Sequence, residues 1–306
     1  MSEAPTLNMA DFDPQDLAIE DIDVSQRSIW IEDKKMAFFD RLRDEAPVHF
    51  CKDSEYGPYW SVTRFKDIME IDGNWQDFSS EPAITIIEPE EDFPLPMFIA
   101  MDPPVHDDQR KTVQGSVAPA NLKLMEETIR SRTQKVLDDL PVGEQFDWVD
   151  KVSIELTTQM LATLFDFPFE DRRKLTRWSD VATGDEESGI VESEEARQAE
   201  LYECLEYFMG LWQERAEKGE GNDLVSMLAH GEATKNMSPQ EFLGNLILLI
   251  VGGNDTTRNS MTGGVWALNQ NPGEYAKLRN NPGVIPNMVS EIIRWQTPLA
   301  HMRRIA

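Results

Sequence analysis

The sequence predicts a mainly α-helical fold with a small β region near its N-terminus. From Asp102 onward, apolar residues recur at intervals of three and four in nearly every segment, which is the period of an amphipathic helix. Strand composition is confined to PVHFCK and GPYWSVTR, and a Gly-Pro turn leads into the second of these stretches. These observations indicate a helix-rich domain with one short hairpin at the front.

Local patterns define the elements in chain order. DKKMAFFDRLRDEA (33–46) has helical spacing and stops before Pro47, and FKDIMEI after the hairpin returns to a helix. Residues 74–100 contain prolines but no period, which predicts a long loop of the kind that is often functional. Further helices are expected at 106–117, 120–139, 148–166, 169–183, 193–217, 222–230, 238–270, 272–280 and 284–296.

The helix expected over 238–270 has the best-defined start in the chain. Ser238 is suited to cap its N-terminus, Pro239 fits the first helical position, and Glu241 completes a capping box. We therefore expect a long central helix that contains the stretch LILLIVGGNDTTRNS.

The composition limits what the chain can bind. Its 306 residues, 40% of them hydrophobic, are enough to bury a core. With 56 acidic against 29 basic residues, the formal net charge is −27, which argues against nucleic acid and anionic lipid as partners. A small molecule or another protein is the expected partner.

The first residues have neither the basic nor the apolar region of a secretory signal, and the apolar run 246–251 is too short to span a bilayer. The two cysteines, Cys51 and Cys204, lie far apart, as is typical of free thiols in a reducing compartment. We therefore expect a cytoplasmic protein with an acidic leader over residues 1–30 and one domain over 31–306.

The stretch 246–260 places weak helix formers and polar groups directly after a run of aliphatic residues. On a 3.6-residue period, one helix face would carry Leu248, Val251, Gly252, Asp255 and Thr256. Bare glycine backbone would let a planar or gaseous ligand approach, beside a carboxylate and a hydroxyl able to relay protons. Alternatively, Gly252 and Gly253 end one helix and Asp255 caps the next. The residues alone leave both interpretations open.

The sequence resembles the cytochrome P450 haem-thiolate monooxygenases in three motifs that occur in the family's order. The central-helix motif (Ala/Gly)-Gly-x-(Asp/Glu)-Thr-Thr stands here as GGNDTT, residues 252–257. By resemblance, Asp255 and Thr256 would deliver protons to dioxygen, and Gly252 and Gly253 would leave room for it. The resemblance implies a partial P450 fold over residues 31–306, with haem b as the cofactor.

The other two motifs precede and follow the central helix. MDPPVHDDQRKTV resembles the family's entry into the helix beneath the haem, and its His106 and Arg110, four residues apart, would bind the propionates. Glu291 and Arg294 match the family's Glu-x-x-Arg, a spacing that allows an ion pair within one turn. Arg304 stands where family members often place another propionate-binding arginine, although the neighbouring Arg303 makes the assignment uncertain by one position.

Within the family, GGNDTTRNS with MFIAMDPP upstream is most similar to the bacterial branch that hydroxylates terminal carbons of medium-chain alkanes and fatty acids. An alkyl chain offers no hydrogen-bonding groups, so a narrow apolar slot would have to select its end by shape. The candidate lining residues are Ile84, Ile86, Leu95, Met97, Phe98, Leu248 and Val251. Any one of them taken alone fits ordinary core better, but the group fits an apolar pocket lining.

The family's iron ligand is a cysteine in a Phe-x-x-Gly-x-x-x-Cys-x-Gly loop, which this sequence does not contain. Cys51 lies in an expected strand and Cys204 in an expected helix, so both are interpreted as structural. We therefore expect no metal ligand in this chain. We also expect an N-terminal piece of a longer protein, which binds haem weakly and does not hydroxylate by itself.

By resemblance, electrons would come from NAD(P)H through a ferredoxin reductase and an iron–sulfur ferredoxin, with O2 and an apolar small molecule as substrates. A basic island could dock the ferredoxin, or the same residues form a locally balanced helix surface. The island consists of Arg110, Lys111, Lys123, Arg130, Arg132 and Lys135. Two alternatives are a non-catalytic helical scaffold without a functional haem site and a hydrolase using Asp255 and Thr256, which lacks a recognisable base.

Overall fold

A computed structural model describes residues 7–89 and 91–306 of the chain. It divides into two compact units, one from the start of the chain to Glu88 together with Arg303–Ala306, and one over Pro89–Met302. Named strands occur, within the described ranges, only in the first unit, and most of the rest is helical. The predicted mainly α class is confirmed.

The first unit contains the predicted hairpin between short helices. Strands β1 (Val48–Cys51) and β2 (Tyr59–Val62) pair antiparallel, with Val48 opposite Val62 and Cys51 opposite Tyr59. The helices are α1 (Arg27–Ile31), α2 (Lys35–Glu45) and α3 (Phe65–Gly73). Three 3-10 turns precede α1, at Met9–Asp11, Pro14–Asp16 and Ile19–Asp21.

The described part of the acidic leader packs into the core of this unit. The acids of the turns are exposed, while the apolar residues between them are buried against Phe38 and Leu42 of α2. Those leader residues are Met9, Ala10, Leu17, Ile22, Val24 and Ile29. Asp23, which follows the last turn, is buried and accepts a hydrogen bond from the Tyr59 hydroxyl at 2.8 Å. The boundary predicted at residue 30 therefore does not coincide with a break in this core.

The second unit is built from helices that follow the predicted segments closely. They are α4 (Val105–Val113), α5 (Pro119–Asp138), α6 (Glu155–Phe165), α7 (Arg173–Thr183), α8 (Glu194–Lys218), α9 (Leu224–His230), α10 (Pro239–Gln270), α11 (Pro272–Asn280) and α12 (Ile285–Gln296). No helix among the described residues has the length and apolar character that crossing a membrane requires.

Helix α10 lies at the centre of the second unit, in contact with α6, α7, α8 and α12. Its first half buries apolar side chains, a burial that contributes roughly 25 cal/mol per Å² of area removed from water. These side chains are Phe242, Leu243, Leu246, Ile247 and Ile250. The core therefore fixes this half of α10 on several sides.

The structure differs from the predicted elements mainly at helix ends. The segment predicted as helix over 106–117 is α-helical only to Val113 and continues as a 3-10 turn, Gln114–Val117. The helix predicted to begin at 148 starts with a π-helical stretch, Val149–Ile154. Apolar periodicity does not distinguish these helix types here, because stretches of 4 and 6 residues are too short for their different periods to show.

Candidate functional site

The GGNDTT motif lies inside an uninterrupted helix. Helix α10 begins at a capping box, in which the Ser238 hydroxyl accepts from the Glu241 N–H and the Glu241 carboxylate accepts from the Ser238 N–H. It then continues to Gln270 through both glycines. The interpretation of Gly252 and Gly253 as a helix end is therefore wrong.

The two glycines have different surroundings. A Cβ at Gly253 would lie 2.6 Å from Cδ2 of Leu161, so this glycine allows α6 to pack closely on α10. A Cβ at Gly252 would meet no described atom within 4 Å, and the residue is exposed. Close packing of α6 therefore explains why residue 253 is a glycine, but it does not explain Gly252. The backbone of Gly252 is uncovered on the exposed side of α10, which we call the open side.

The Thr256 hydroxyl donates to the carbonyl of Gly252 at 2.9 Å, the back-bond that a threonine inside a helix can form. One turn of helix therefore carries the bare backbone of Gly252, a hydroxyl above it and the Asp255 carboxylate beside it. Asp255 and Thr256 are both half-buried.

Asp255 is held by an arginine that the sequence analysis did not identify. Arg258 Nη2 donates to Asp255 Oδ1, and its Nη1 donates to Asp180 Oδ1 on α7 at 2.9 Å. Burial lowers the pKa of Arg258, but its hydrogen bonds and charge interactions with Asp180 and Asp255 outweigh burial, so the pKa is raised overall. The i,i+3 spacing could have indicated the pair of Asp255 with Arg258, whereas Asp180 becomes adjacent only through packing.

Helix α4 carries His106 and Arg110 with the predicted spacing of four residues. His106 is half-buried, with its ring centroid 6.2 Å from that of Phe98, and Arg110 is exposed. Within the described part of the chain neither side chain has an acidic partner, although acids outnumber bases by 56 to 29 overall. Both can therefore receive carboxylates from a ligand, which fits a haem propionate edge.

Neither cysteine fits a metal ligand. Cys51 in β1 is 3% exposed, and burial, followed by the charge of Asp23, raises the pKa of its thiol to about 11. Cys204 in α8 is 0% exposed, and burial raises the pKa of its thiol even further. Both thiols therefore stay protonated near neutral pH, as expected of structural cysteines. Cys204 lies in the apolar core, whereas the thiol of Cys51 donates to the carbonyl of Asp53 at 3.7 Å.

The remaining predicted charged residues pair locally. Arg294 forms a bidentate ion pair with Glu291 on α12, with N···O distances of 2.7 and 2.6 Å. In the first unit, Arg304 pairs with Asp72 and Arg303 with Glu88. The structure thus gives both candidate arginines near the C-terminus an acidic partner, and a propionate-binding role for Arg304 stays a prediction.

Part of the predicted apolar lining comes together in the second unit. Phe98 belongs to the same apolar cluster as the core of α10, and Leu95, Leu248 and Val251 pack against it. Met97 is half-buried in the same segment. Ile84 and Ile86 are also half-buried, but they belong to the first unit.

The basic island is partly neutralised. Arg130 pairs with Glu126 at 3.2 Å and Lys135 with Asp139 at 2.8 Å. Arg132 turns toward α6, where it donates to the carbonyl of Gln159 at 2.6 Å. Arg110, Lys111 and Lys123 remain exposed, without an ion pair to any residue that the structure describes.

No protein-family model matches the chain. The chain is 31% identical over 299 residues to linalool 8-monooxygenase of Pseudomonas putida, which covers 93% of this chain and 73% of that protein. Cytochrome P450-153 from Novosphingobium aromaticivorans has a TM-score of 0.85 at 49% identity, covering 93% of this chain and 72% of that one. CYP153D17 from a Sphingomonas species has a TM-score of 0.86 at 49% identity, covering 94% and 73%.

The helical fold, the site on α10 and these relatives define an oxygenase. The chain belongs to the cytochrome P450 family, which implies haem as the cofactor and a small-molecule substrate. Because the first of these relatives is a monooxygenase by name, the comparison favours an enzyme over the non-catalytic scaffold.

Proposed function

We propose that the complete protein is a monooxygenase that inserts one oxygen atom of O2 into the terminal C–H bond of a medium-chain alkane or fatty acid. The bound haem supplies the oxidation chemistry. The residues of this chain bind the haem edge, orient the substrate, exclude water and hold a proton.

His106 and Arg110 are proposed to hold the propionates, because they lie on one face of α4 and have no acidic partner among the described residues. The open backbone at Gly252 leaves space beside α10. Asp255 and Thr256 are proposed to relay the two protons that the reaction consumes when the second oxygen atom leaves as water, with Arg258 fixing the carboxylate of Asp255.

The observation that carries the substrate proposal is the packing of the segment 95–98 on α10. Leu95 and Phe98 share the apolar cluster of Leu248 and Val251, and the last of these directly precedes Gly252. An apolar surface next to the proton-holding turn suits a hydrocarbon chain, whose orientation only shape can determine. The choice of an alkane or fatty acid rests on the sequence resemblance, and the name of the P. putida relative describes monooxygenation of linalool at one carbon.

The experiment is product analysis of the complete enzyme, with its haem bound, on octane and dodecanoic acid. Wild type should oxidise mainly the terminal carbon, and Leu248→Ala should shift oxidation inward because it enlarges the slot. Leu249→Ala is the matched control, since Leu249 packs on the same core but lies about 100° around the helix. Unchanged terminal selectivity in Leu248→Ala would count against this placement.

Electrons are proposed to come from NAD(P)H through a ferredoxin reductase and a ferredoxin, in the cytoplasm. Support comes from Lys111 on α4 and Lys123 on α5, two exposed basic side chains on a chain with net charge −27. An acidic partner would be steered to them by charge.

A further inference from the structure

Asn245 on α10 joins three elements through one completely buried side chain. Its Oδ1 accepts from the backbone N–H of Phe98 at 2.9 Å, and its Nδ2 donates to the carbonyl of Glu241, one turn earlier, at 3.0 Å. Nδ2 also donates to Oε1 of Gln109 on α4 at 3.3 Å. The segment 95–98, the central helix and α4 therefore meet at this amide.

These contacts fix the orientation of the amide. The N–H of Phe98 can only donate and the carbonyl of Glu241 can only accept, so one placement of Oδ1 and Nδ2 satisfies both. Phe98 is 8% exposed, so loss of the acceptor would leave a backbone donor in a largely dry environment. The amide therefore holds the segment in one position.

The residue before Asn245 brings the segment close to the helix. A Cβ at Gly244 would lie 2.1 Å from the carbonyl oxygen of Pro96 and 2.9 Å from the carbonyl carbon of Leu95. A backbone oxygen cannot rotate away as a long side chain can. Only glycine therefore allows the segment to lie directly on α10.

The anchor lies on the same stripe of α10 as the candidate site. Asn245, Leu248 and Gly252 follow the i, i+3, i+7 pattern of one helix face. Seven residues at a rise of 1.5 Å place Asn245 about 10 Å along the axis from Gly252. The position of the segment relative to the open backbone is therefore set by the helix itself.

We propose that Asn245 is a positioning residue that determines substrate specificity. By fixing the segment 95–98 about 10 Å from Gly252, it sets which carbon of an apolar chain lies beside Gly252. This inference rests on the proposed function, because it assumes that this segment lines the substrate slot.

The first test needs no haem. Amide hydrogen exchange in the chain should show the Phe98 N–H exchanging about tenfold faster in Asn245→Leu than in wild type, because its acceptor is lost. Thr157→Val is the matched control. It removes a buried 2.8 Å hydrogen bond from Thr157 on α6 to Asn254, which lies on α10 like Asn245, and it does not affect the hydrogen bond of the Phe98 N–H.

The second test uses the complete enzyme, with its haem bound, and octane as substrate. The ratio of 1-octanol to 2-octanol should fall in Asn245→Leu and in Gly244→Ala, which displaces the segment without removing the amide. Thr157→Val should keep the wild-type ratio, which separates positioning from a general loss of stability. If one anchor variant does not fold, the other still decides the question.

The outcomes separate this inference from the proposed function. Faster Phe98 exchange with an unchanged octanol ratio would overturn the role in specificity and leave the proposed function intact. Unchanged Phe98 exchange would overturn the anchor itself. A complete wild-type enzyme that oxidises neither octane nor dodecanoic acid would overturn the proposed function and, with it, the role in specificity. The exchange data would still decide whether the anchor exists.

Discussion

Two arginines with the same local spacing differ in their surroundings. Arg258 and Arg294 each follow an acid by three residues, but the Arg258 side chain is 15% exposed and the Arg294 side chain 64%. Arg258 also reaches Asp180 on α7, so its charge is shared between two elements. Exposed pairs contribute little because water and ions screen them, whereas removing a buried partner leaves charges poorly solvated.

We therefore predict that Arg258→Leu lowers the free energy of unfolding by about 1 kcal/mol or more, measured by urea denaturation. Arg294→Leu should change it by no more than about 0.5 kcal/mol. In the haem-loaded enzyme, Arg258→Leu should also slow proton delivery, seen as less product per electron consumed. Equal losses of stability in the two variants would contradict the conclusion that the Arg258 ion pairs are largely buried and the Arg294 ion pair is exposed.

The buried cysteines lead to a prediction about pH. The pKa of Cys51 is raised from its ordinary 9.0 to about 11 in the folded chain. Between these values the unfolded thiol ionises while the folded one stays protonated, so stability should fall as the pH rises through this window. Cys51→Ala should flatten part of that decline in urea titrations. Both thiols should resist iodoacetamide at pH 8 until the chain unfolds, and rapid labelling of the native chain would contradict their burial.

At the scale of a helix, alanine substitutions at Gly252 and Gly253 should have different effects on stability and on activity. Nothing described lies within 4 Å of a Cβ at Gly252, so Gly252→Ala should stabilise the fold by up to about 1 kcal/mol through helix propensity. The same methyl group would occupy the open side of α10, so haem content or turnover of the loaded enzyme should fall. Thermal unfolding and haem absorbance measure the two effects.

Gly253→Ala provides the contrast, because its methyl group would meet Leu161 at 2.6 Å and α6 would have to adjust. This variant should show little or no gain in stability. If Gly252→Ala leaves haem content and turnover unchanged, the open backbone has no role in the site.

Lys111 on α4 and Lys123 on α5 are exposed and form no ion pair with any residue that the structure describes, so both can meet a ferredoxin. Lys111→Glu with Lys123→Glu should slow reduction by the ferredoxin several-fold at low salt, and the difference should shrink as salt rises. Lys135→Glu is the control, since Lys135 is already paired with Asp139. Reduction kinetics that do not depend on salt would speak against docking by charge.

At the scale of the whole chain, residues 1–306 contain no cysteine placed to ligate iron. Reconstitution of this chain with haem should therefore give no red-shifted ferrous–carbonyl Soret band, the signature of a thiolate ligand. A red-shifted band would show that Cys51 or Cys204 becomes accessible, in conflict with exposures of 3% and 0%.

The helical part of the fold could be predicted from the sequence because long helices repeat their apolar pattern many times. The capping box at Ser238 even located the start of α10 correctly. Helix α1 was missed because it has only five residues, too few for a period to show. The turns of the leader were missed because its acids mask the buried residues between them.

The candidate site was predictable where the signal is local. The spacing within GGNDTT and between His106 and Arg110 can be read along one helix. Asp180 and Gln109 could not be found in this way, since they reach α10 from other helices only after folding. The roles assigned to Asp255, Thr256, His106 and Arg110 stay predictions until the variants are measured.

Because α10 is continuous, it fixes the distances between the residues along its length. Its 32 residues span about 48 Å, and the anchor at Asn245, the gap at Gly252 and the arginine at Arg258 occupy fixed positions along it. Inserting one residue between Asn245 and Gly252 would rotate everything beyond it by about 100° and remove the segment's anchor from the stripe that carries the proton-holding groups. New substrate preferences should therefore evolve by exchange of side chains on α10 or by changes of loop length elsewhere. The number of residues between Asn245 and Gly252 should stay constant.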